Sequence, residues 1–248
     1  MSVVGRLRDL AEERLKRRTL ERYRSRPEVA ERVRQVLALE PSALGLSAGA
    51  SDPRGLPGNP EFVATGWTEH MLLRYFLAFD PARDKRVLDT CSGLGWGAHL
   101  LAGLAREVVG IDLAQEAVDF CGQRWQDANL RFVQGSVLEL PFADASFDVV
   151  LCMEAIEHFS RADGRRYLGE LRRVCAPGGV LLGSSAFAQT RAQADALCAM
   201  NEHHLYIYTR SEMKALLKDA NFRPFRLTRH YFGATSVPRA AERHADAV

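Results

Sequence analysis

The stretch that decides the fold is Val87-Leu88-Asp89-Thr90-Cys91-Ser92-Gly93-Leu94-Gly95-Trp96-Gly97, an apolar strand followed by a glycine-rich turn. Glycine lets the backbone turn sharply and lets a ligand approach it closely. Downstream of this turn, strand-like and helix-like segments alternate, which predicts a doubly wound, mostly parallel α/β sheet with helices on both faces. Ligands bind such sheets at the carboxyl ends of the strands, so we expect the binding site at this turn.

Hydrophobic patterning gives the expected elements. The predicted strands are Arg86–Cys91, Val108–Asp112, Leu130–Gly135, Phe147–Met153 and Val180–Ser185, with strand-like segments at Phe225–Thr228 and Tyr231–Phe232. The predicted helices are 67–79, Trp96–Ala105, Ala114–Asp127, Arg165–Cys175 and Ser211–Ala220, the last with Ser211 as N-cap. We expect an N-terminal helical arm and lid loop over 1–66, the main domain over 67–237 and a flexible tail over 238–248.

Composition narrows the class of protein. The 248 residues are 47% apolar and 26% charged with a net charge of +2, which is typical of a globular chain and does not by itself indicate nucleic acid. No run approaches the length of a membrane span, and the charged N-terminus is unlike a secretory signal. Five cysteines without a Cys-x-x-Cys pair argue against a disulfide framework or a structural zinc site, so we expect a cytoplasmic protein.

The first forty residues carry 11 Arg and Lys against seven acids. This pattern allows a basic arm for RNA or an anionic surface, and it equally allows a solvated helical cap with charge pairs. We favour the cap because the acids are interspersed throughout.

Two cofactor classes fit the glycine-rich turn. Gly93-x-Gly95-x-x-Ala98 matches the dinucleotide fingerprint, but Asp89 ends the strand where a pyrophosphate would lie and would repel it. A phosphate-free cofactor with a cationic amino-acid end, such as S-adenosylmethionine, would be attracted instead. Asp112, at the end of the second predicted strand, is expected to accept the hydroxyls of a ribose. Both aspartates could also be structural capping carboxylates.

Several motifs in order resemble the class I S-adenosylmethionine-dependent methyltransferases. They are Val87-Leu88-Asp89, Gly93-x-Gly95, Gly110-Ile111-Asp112, Leu140-Pro141-Phe142, Phe147-Asp148-Val149-Val150 and Pro177-Gly178-Gly179, and they span roughly residues 60–228. The closest likeness is to the small-molecule branch that includes the ubiquinone and menaquinone biosynthesis methyltransferases. The resemblance implies a Rossmann-like seven-stranded sheet, S-adenosylmethionine as cofactor and S-adenosylhomocysteine as product.

The resemblance also implies roles for single residues. Asp89, Gly93 and Gly95 would hold the methionine part of the cofactor, Asp112 and Leu113 the ribose, Ser136 and Val137 the adenine, while Met153 would line the methionine side. The family usually has glycine where Cys91 stands and aspartate where Ser136 stands, so these two contacts are expected to be altered. On the helix that begins at Trp67, Arg74 would pair with the methionine carboxylate and Trp67 would shield the methyl group.

Histidine is the default base for a hydroxyl acceptor, whereas nitrogen or sulfur acceptors may need none. His158 follows the fourth strand and is our first candidate; His203 and His204 lie in the segment where this family builds its substrate cap, and we take His203 as the second. The spacing Glu154-x-x-Glu157-His158 could hold a divalent ion, but ordinary acids at a helix start explain it better, and we predict no metal.

These observations favour a methyltransferase that acts on a small molecule, most simply on a hydroxyl oxygen. An RNA or protein methyltransferase and a non-catalytic S-adenosylmethionine-binding protein remain alternatives, and a nicotinamide-dependent oxidoreductase is a distant one. No RNA-binding motif accompanies the basic arm, where Tyr23 is the one aromatic residue, so a nucleic-acid partner is not expected. The sequence leaves the acceptor and the oligomeric state open.

Overall fold

The structure is a computed structural model that describes residues 17–18, 21–23, 26–39, 57–58, 64, 67–227 and 231–236. Most of the predicted arm and lid, and all of the predicted tail, lie outside these residues. Contacts divide the chain into two units. The first unit holds the described residues up to Asp84 together with Ser92–Gln134, and the second holds Lys85–Cys91 and the chain from Gly135 onward.

Helices and strands alternate along much of the described chain. The helices are α1 (Pro27–Leu37), α2 (Trp67–Phe76), α3 (Phe79–Ala82), α4 (Trp96–Ala102), α5 (Gln115–Arg124), α6 (Arg161–Val174), α7 (Arg191–Ala199) and α8 (Arg210–Asp219), with a 3-10 turn at Ile156–His158. The strands are β1 (Arg86–Thr90), β2 (Glu107–Asp112), β3 (Leu130–Gln134), β4 (Phe147–Met153), β5 (Cys175–Ser184), β6 (Phe222–Leu227) and β7 (Tyr231–Ser236).

In the second unit the strand order is β1-β4-β5-β7-β6. β1, β4 and β5 are parallel, whereas β7 is antiparallel to both β5 and β6. β4 is apolar and almost wholly buried, as expected for a central parallel strand. Because β1, β4 and β5 run the same way, their carboxyl ends share one edge, where the second unit's candidate residues follow.

In the first unit β2 and β3 are parallel, with Asp112 opposite Gln134 at their carboxyl ends. Together with the three parallel strands of the second unit, this confirms the predicted α/β fold built on parallel strands. Partly buried charged side chains attach helix α1 to the rest of this unit. The expected helical cap is therefore not held by solvent-exposed charge pairs alone. Arg32 donates from Nη2 to Asp127 Oδ1 at 2.7 Å and from Nη1 to the His99 carbonyl at 2.7 Å.

The largest boundary errors come from caps and from a missed helix. Ser160 accepts a hydrogen bond from the backbone N of Asp163, so α6 begins at Arg161, four residues before the predicted start. Thr209, not Ser211, caps α8 in a capping box with Glu212. β5 begins at Cys175, five residues before its predicted start at Val180, and includes Pro177-Gly178-Gly179, and α7 was not predicted. In the described part of the chain, no helix has both the length and the apolar character needed to cross a membrane.

Candidate active site

In the first unit, residues Ser92–Gly95 form a tight turn that we call the glycine loop. Gly93 and Gly95 adopt φ angles of +50° and +69°, a conformation that glycine reaches without the steric cost of a side chain. A Cβ atom on Gly95 would lie 2.6 Å from the Phe132 ring and 2.7 Å from Cys121 Sγ. The predicted glycines are therefore required by backbone conformation, and Gly95 also by packing.

The carboxylate of Asp112 holds the glycine loop in place. Its Oδ2 accepts from the backbone N of Gly93 at 2.8 Å, and its Oδ1 accepts from the backbone N of Ala114 at 3.0 Å. The helix cap considered from the sequence is not formed, because the N-cap of α5 is Ala114 and Asp112 accepts from the backbone N of that residue rather than from the first turn of the helix. These two hydrogen bonds do not exhaust the carboxylate, because each oxygen has a second lone pair for a ligand hydroxyl.

Two residues that the sequence analysis did not single out also support this loop. Trp125 donates from Nε1 to the Leu94 carbonyl at 2.9 Å, and Cys121 Sγ lies 3.3 Å from the Gly93 carbonyl, which it can reach as a donor. Both lie at the end of α5, after α4 and β2 have intervened, and neither belongs to a recognisable motif. Their carbonyl contacts leave no sequence signal beyond an apolar helix face.

In the second unit, the ends of β1 and β4 both carry left-handed residues. Asp89 is fully buried and lies opposite Leu151 in the parallel register. Cys91 follows β1 with φ +52°, and Glu154 follows β4 with φ +48°. The φ angle of Cys91 is one that glycine adopts freely, whereas an L-residue in this region costs about 1–2 kcal/mol. Such strain clusters at functional sites.

His158 ends the 3-10 turn after β4, and its ring Nδ1 lies 2.9 Å from the His203 carbonyl oxygen. The ring centroids of His158 and His204 are 5.3 Å apart, in an edge-to-face arrangement. The His203 side chain is exposed and its Nε2 lies 3.9 Å from the Glu202 carboxylate. The structure therefore places His204 beside His158, and only the backbone of the predicted His203 takes part.

Glu157 ties the segment 201–206 to this site. Its backbone carbonyl accepts from Leu205 N at 2.8 Å and Tyr206 N at 3.2 Å, and its carboxylate, 1% exposed as a residue, accepts from Ser185 Oγ at 3.0 Å. One ligand atom each of Glu157, His158 and His204 lies within 4.8 Å of the others. The possible ion-binding group considered from the sequence was Glu154, Glu157 and His158. In the structure, His204 takes the place of Glu154 in this group. We refer to Glu157, His158, Asn201 and His204 as the histidine cluster.

Burial and the neighbouring His158 hold the pKa of His204 below its usual range, although Glu154 acts in the opposite direction. A neutral imidazole is therefore favoured at His204 near neutral pH. Asn201 Nδ2 lies 3.1 Å from His204 Nε2, and the backbone N of His203 donates to Asn201 Oδ1 at 3.0 Å.

Known proteins resemble this chain in sequence and in structure. Residues 88–183 match the family described as "Methyltransferase domain". A probable S-adenosylmethionine-dependent methyltransferase of Mycolicibacterium smegmatis is 32% identical over 182 residues, which is 73% of this chain and 66% of the relative. The crystal structure of YcgJ from Bacillus subtilis is similar with a TM-score of 0.56 and 27% identity, covering 62% of this chain and 69% of that one.

The chain belongs to the class I S-adenosylmethionine-dependent methyltransferases. A fatty-acid O-methyltransferase of M. smegmatis is 41% identical over 104 residues, or 41% of this chain and 37% of the relative. The chain thus spans between about a third and two thirds of the length of these two curated relatives.

S-adenosylmethionine is the methyl donor of class I methyltransferases, and the first unit offers groups that fit it. A Cβ atom on Gly93 would meet nothing within 4 Å, so the backbone there borders open space. Leu113, next to Asp112, is 69% exposed, an apolar surface able to cover a nucleoside. Asp112 can accept hydrogen bonds from ribose hydroxyls, Leu113 offers an apolar surface, and the open backbone at Gly93 leaves space beside them. Together these groups suit an adenosyl group.

The other residues to which the resemblance assigns a role have the following surroundings in the structure. Ser136 Oγ accepts from Leu138 N at 3.2 Å, and its hydroxyl proton can still be donated. Val137 and Met153 are buried, and the Met153 sulfur lies 3.8 Å from Ser184 Oγ. Arg74 is buried on α2 rather than on the surface, and the side chain of Trp67 lies outside the described residues.

The Leu140-Pro141-Phe142 motif of this chain has a structural explanation. Arg173 donates to the carbonyls of Leu140 at 2.9 Å and Phe142 at 2.7 Å, and Glu170 accepts from Leu140 N at 2.7 Å. Arg173 and Glu170 also pair with each other, which lowers the pKa of Glu170 mainly through the hydrogen bond from Arg173. The motif is therefore anchored from α6, a link that the sequence analysis missed.

Proposed function

We propose that this chain transfers the methyl group of S-adenosylmethionine to the hydroxyl oxygen of a small molecule with an apolar body. The observation that carries the proposal is His158, an exposed imidazole directly after β4 whose Nδ1 faces a carbonyl oxygen. A carbonyl only accepts, so Nδ1 carries the hydrogen and Nε2 has the lone pair that a general base needs.

The presence of a candidate base favours a hydroxyl oxygen as the acceptor atom. A neutral hydroxyl is a poor nucleophile until its proton is removed, whereas a carboxylate is already ionised near neutral pH. When bound, S-adenosylmethionine supplies a methyl carbon whose bond to the positive sulfur breaks, with its electron pair returning to sulfur, as the oxygen pair bonds to that carbon. The proton of the hydroxyl goes to His158 Nε2 and from there to solvent.

The cofactor residues are proposed for each unit by itself. In the second unit Asp89 lies near the end of β1 and Cys91 follows that strand, on the same sheet edge as Met153 and His158. In the first unit the glycine loop, Asp112 and Leu113 would hold the methionine part and the ribose. We further propose that Ser136 and Val137 contact the adenine and that Arg74 pairs with the methionine carboxylate.

The apolar character of the acceptor is supported by the segment that carries the histidine cluster. Met200 is 82% exposed and Leu205 is 62% exposed, and the two flank Asn201–His204. These two apolar side chains would give an acceptor with an apolar body a surface to contact. That a relative is a fatty-acid O-methyltransferase also supports an apolar acceptor.

A macromolecular acceptor finds less support in the described part of α1 and its neighbours. Arg32 is committed to Asp127 and Arg22 Nη1 lies 2.7 Å from Asp80 Oδ2. Tyr23 is buried, with its ring centroid 4.9 Å from that of Phe79, so it is not presented for base stacking. These basic and aromatic groups serve the fold.

The test combines binding and turnover. Calorimetry should show that the chain binds S-adenosylhomocysteine and not NADH. With S-adenosylmethionine carrying a radiolabelled methyl group, we expect label in hexadecanol or a long-chain phenol, which have neutral hydroxyls. Label in palmitate alone would remove the hydroxyl proposal, label in tRNA or a protein would replace the small-molecule acceptor, and binding without any transfer would indicate a non-catalytic protein.

A further inference from the structure

The side-chain amide of Asn201 has a fixed orientation. The backbone N–H of His203, which can only donate, points at one end of the amide at 3.0 Å. That end must be the carbonyl oxygen, so the NH2 group is at the other end, 3.1 Å from His204 Nε2. Since the NH2 group donates, Nε2 must accept. Neutral His204 therefore carries its hydrogen on Nδ1.

His158 is held in the opposite tautomer. Its Nδ1 faces the His203 carbonyl at 2.9 Å and must donate, which leaves the lone pair on Nε2. The two imidazoles are neighbours, with ring centroids 5.3 Å apart, and a ring nitrogen of each lies within 4.8 Å of the other. An oxygen hydrogen-bonded to two nitrogens at about 2.9 Å each can bridge atoms up to roughly 5.8 Å apart. This separation allows one acceptor oxygen to reach a nitrogen of each ring, and the tautomers select His158 Nε2 and His204 Nδ1 as the atoms that would face it.

We propose that His204 is a second catalytic residue, which donates a hydrogen bond from Nδ1 to the acceptor oxygen while His158 Nε2 takes the proton of that oxygen. Asn201 is then a positioning residue that selects the His204 tautomer. The inference rests on the proposed function, since it concerns the same hydroxyl. As the O–H bond breaks, negative charge develops on the oxygen, and a donor already aimed at it lowers the barrier.

The surroundings of the pair favour this division of roles. Among the described residues, the Glu154 carboxylate and the His203 imidazole act electrostatically on His204, and Glu157 offers a carboxylate oxygen within 4.8 Å of a nitrogen of each ring. Protonating His204 at Nε2 would set two donors against each other at Asn201, so His204 remains a donor through Nδ1 and does not act as the base.

The tautomers also bear on metal binding at the same residues. A metal ligand must offer a lone pair, yet the Nε2 lone pair of His204 faces the Asn201 amide and its Nδ1 carries hydrogen. The geometry therefore assigns His204 to the acceptor rather than to an ion. Titration with Zn²⁺ provides the check, because a shift of the His204 ring signals at stoichiometric zinc would overturn the assignment.

The decisive variant is Asn201→Asp. An aspartate still accepts from the backbone N of His203, but its second oxygen accepts at His204 Nε2 and pulls the hydrogen there from Nδ1. Long-range proton–nitrogen NMR of histidine-labelled protein should show His204 as the Nδ1–H tautomer in the wild type and as Nε2–H in Asn201→Asp. A wild-type Nε2–H tautomer would overturn the proposal without touching the methyltransferase function.

The functional readout uses 4-nitrophenol, whose absorbance reports whether its hydroxyl is ionised, added with S-adenosylhomocysteine. We expect the wild type to raise the ratio of bound phenolate to phenol about tenfold over free solution. Asn201→Asp and His204→Ala should lose this increase and keep wild-type affinity for S-adenosylhomocysteine. Glu202→Gln, an exposed change in the same loop, is the matched control and should behave as the wild type. Equal ionisation in wild type and Asn201→Asp, or an absence of bound phenolate, would overturn the role of His204.

Discussion

The glycine loop and the histidine cluster are held in place in different ways. Asp112 and Gly93 are 19 residues apart, and the loop's geometry follows from glycine conformations and one carboxylate. The histidine cluster depends on contacts across more than forty residues, such as His158 with His203 and Glu157 with Leu205. The first region is encoded by residues close together in the sequence, whereas the second forms only when distant segments of the chain come together.

The largest expected effect concerns the histidine cluster. In His158→Asn, the amide can still donate to the His203 carbonyl, but the Nε2 lone pair is lost. We expect turnover to fall by about 100-fold or more, the scale of a lost general base. Affinity for S-adenosylhomocysteine, measured by calorimetry, should be unchanged. If turnover on a hydroxyl acceptor persists near the wild-type rate, His158 is not the base.

The matching variant in the glycine loop is Asp112→Asn. An amide NH2 would oppose either Gly93 N–H or Ala114 N–H, and it would offer one fewer acceptor to the ribose. We expect the dissociation constant for S-adenosylhomocysteine to rise about tenfold, consistent with the loss of one hydrogen bond to a charged group. Asp119→Asn, an exposed change on α5, is the control. Wild-type affinity in a folded Asp112→Asn protein would contradict the ribose assignment.

His99, in the same unit as the glycine loop, is buried, and His204, in the histidine cluster, is half-buried. Their burial predicts that the stability of the protein depends on pH. Burial is the main cause that lowers the pKa of both His99 and His204, with Arg32 and Arg124 adding to it at His99 and Asp127 opposing it. The unfolded chain takes up protons on these rings first as pH falls below about 6.5. The stabilisation is therefore present above that pH and is lost as pH falls toward the folded pKa values.

Urea unfolding at about pH 7.5 and about pH 5.5 measures this effect, in a window above the titration of the carboxylates. We expect a lower free energy of unfolding at the acidic pH in the wild type. His204→Asn should reduce the difference and leave the part due to His99. Equal stability of the wild type at both values would contradict the burial of these rings as neutral groups.

The smallest expected effect is at Cys91, whose φ of +52° is left-handed. Cys91→Gly relieves about 1–2 kcal/mol of strain, and about 0.5–1 kcal/mol is offset by the greater freedom of glycine in the unfolded chain. We expect a gain in the free energy of unfolding between zero and about 1.5 kcal/mol. Cys91→Ala removes the thiol but keeps the strained conformation, so it should show no such gain in the same urea titration.

The parallel α/β fold and the glycine loop could be predicted because their signals are local. The strand Phe147–Met153 was predicted with the bounds that the structure shows, since a continuous apolar run between turns indicates a buried strand. The first turn of α6 and the cap of α8 were missed, because Ser160 and Thr209 become caps only through hydrogen bonds to later backbone groups. Similarly, His203 and His204 are equivalent in the sequence, and the path of the loop decides between them.

By itself, the sequence determined the alternation of strands and helices, the glycine loop and the position of Asp112 at the end of β2. Backbone conformation and short-range hydrogen bonds depend on neighbouring residues, so a local pattern records them. Only the tertiary structure decided that Arg74 is buried, that Arg173 anchors the Leu140-Pro141-Phe142 motif and that His204 lies against His158. These facts depend on which distant segments meet. Burial and hydrogen bonds between residues far apart in the chain are properties of the folded packing, and no local pattern records them.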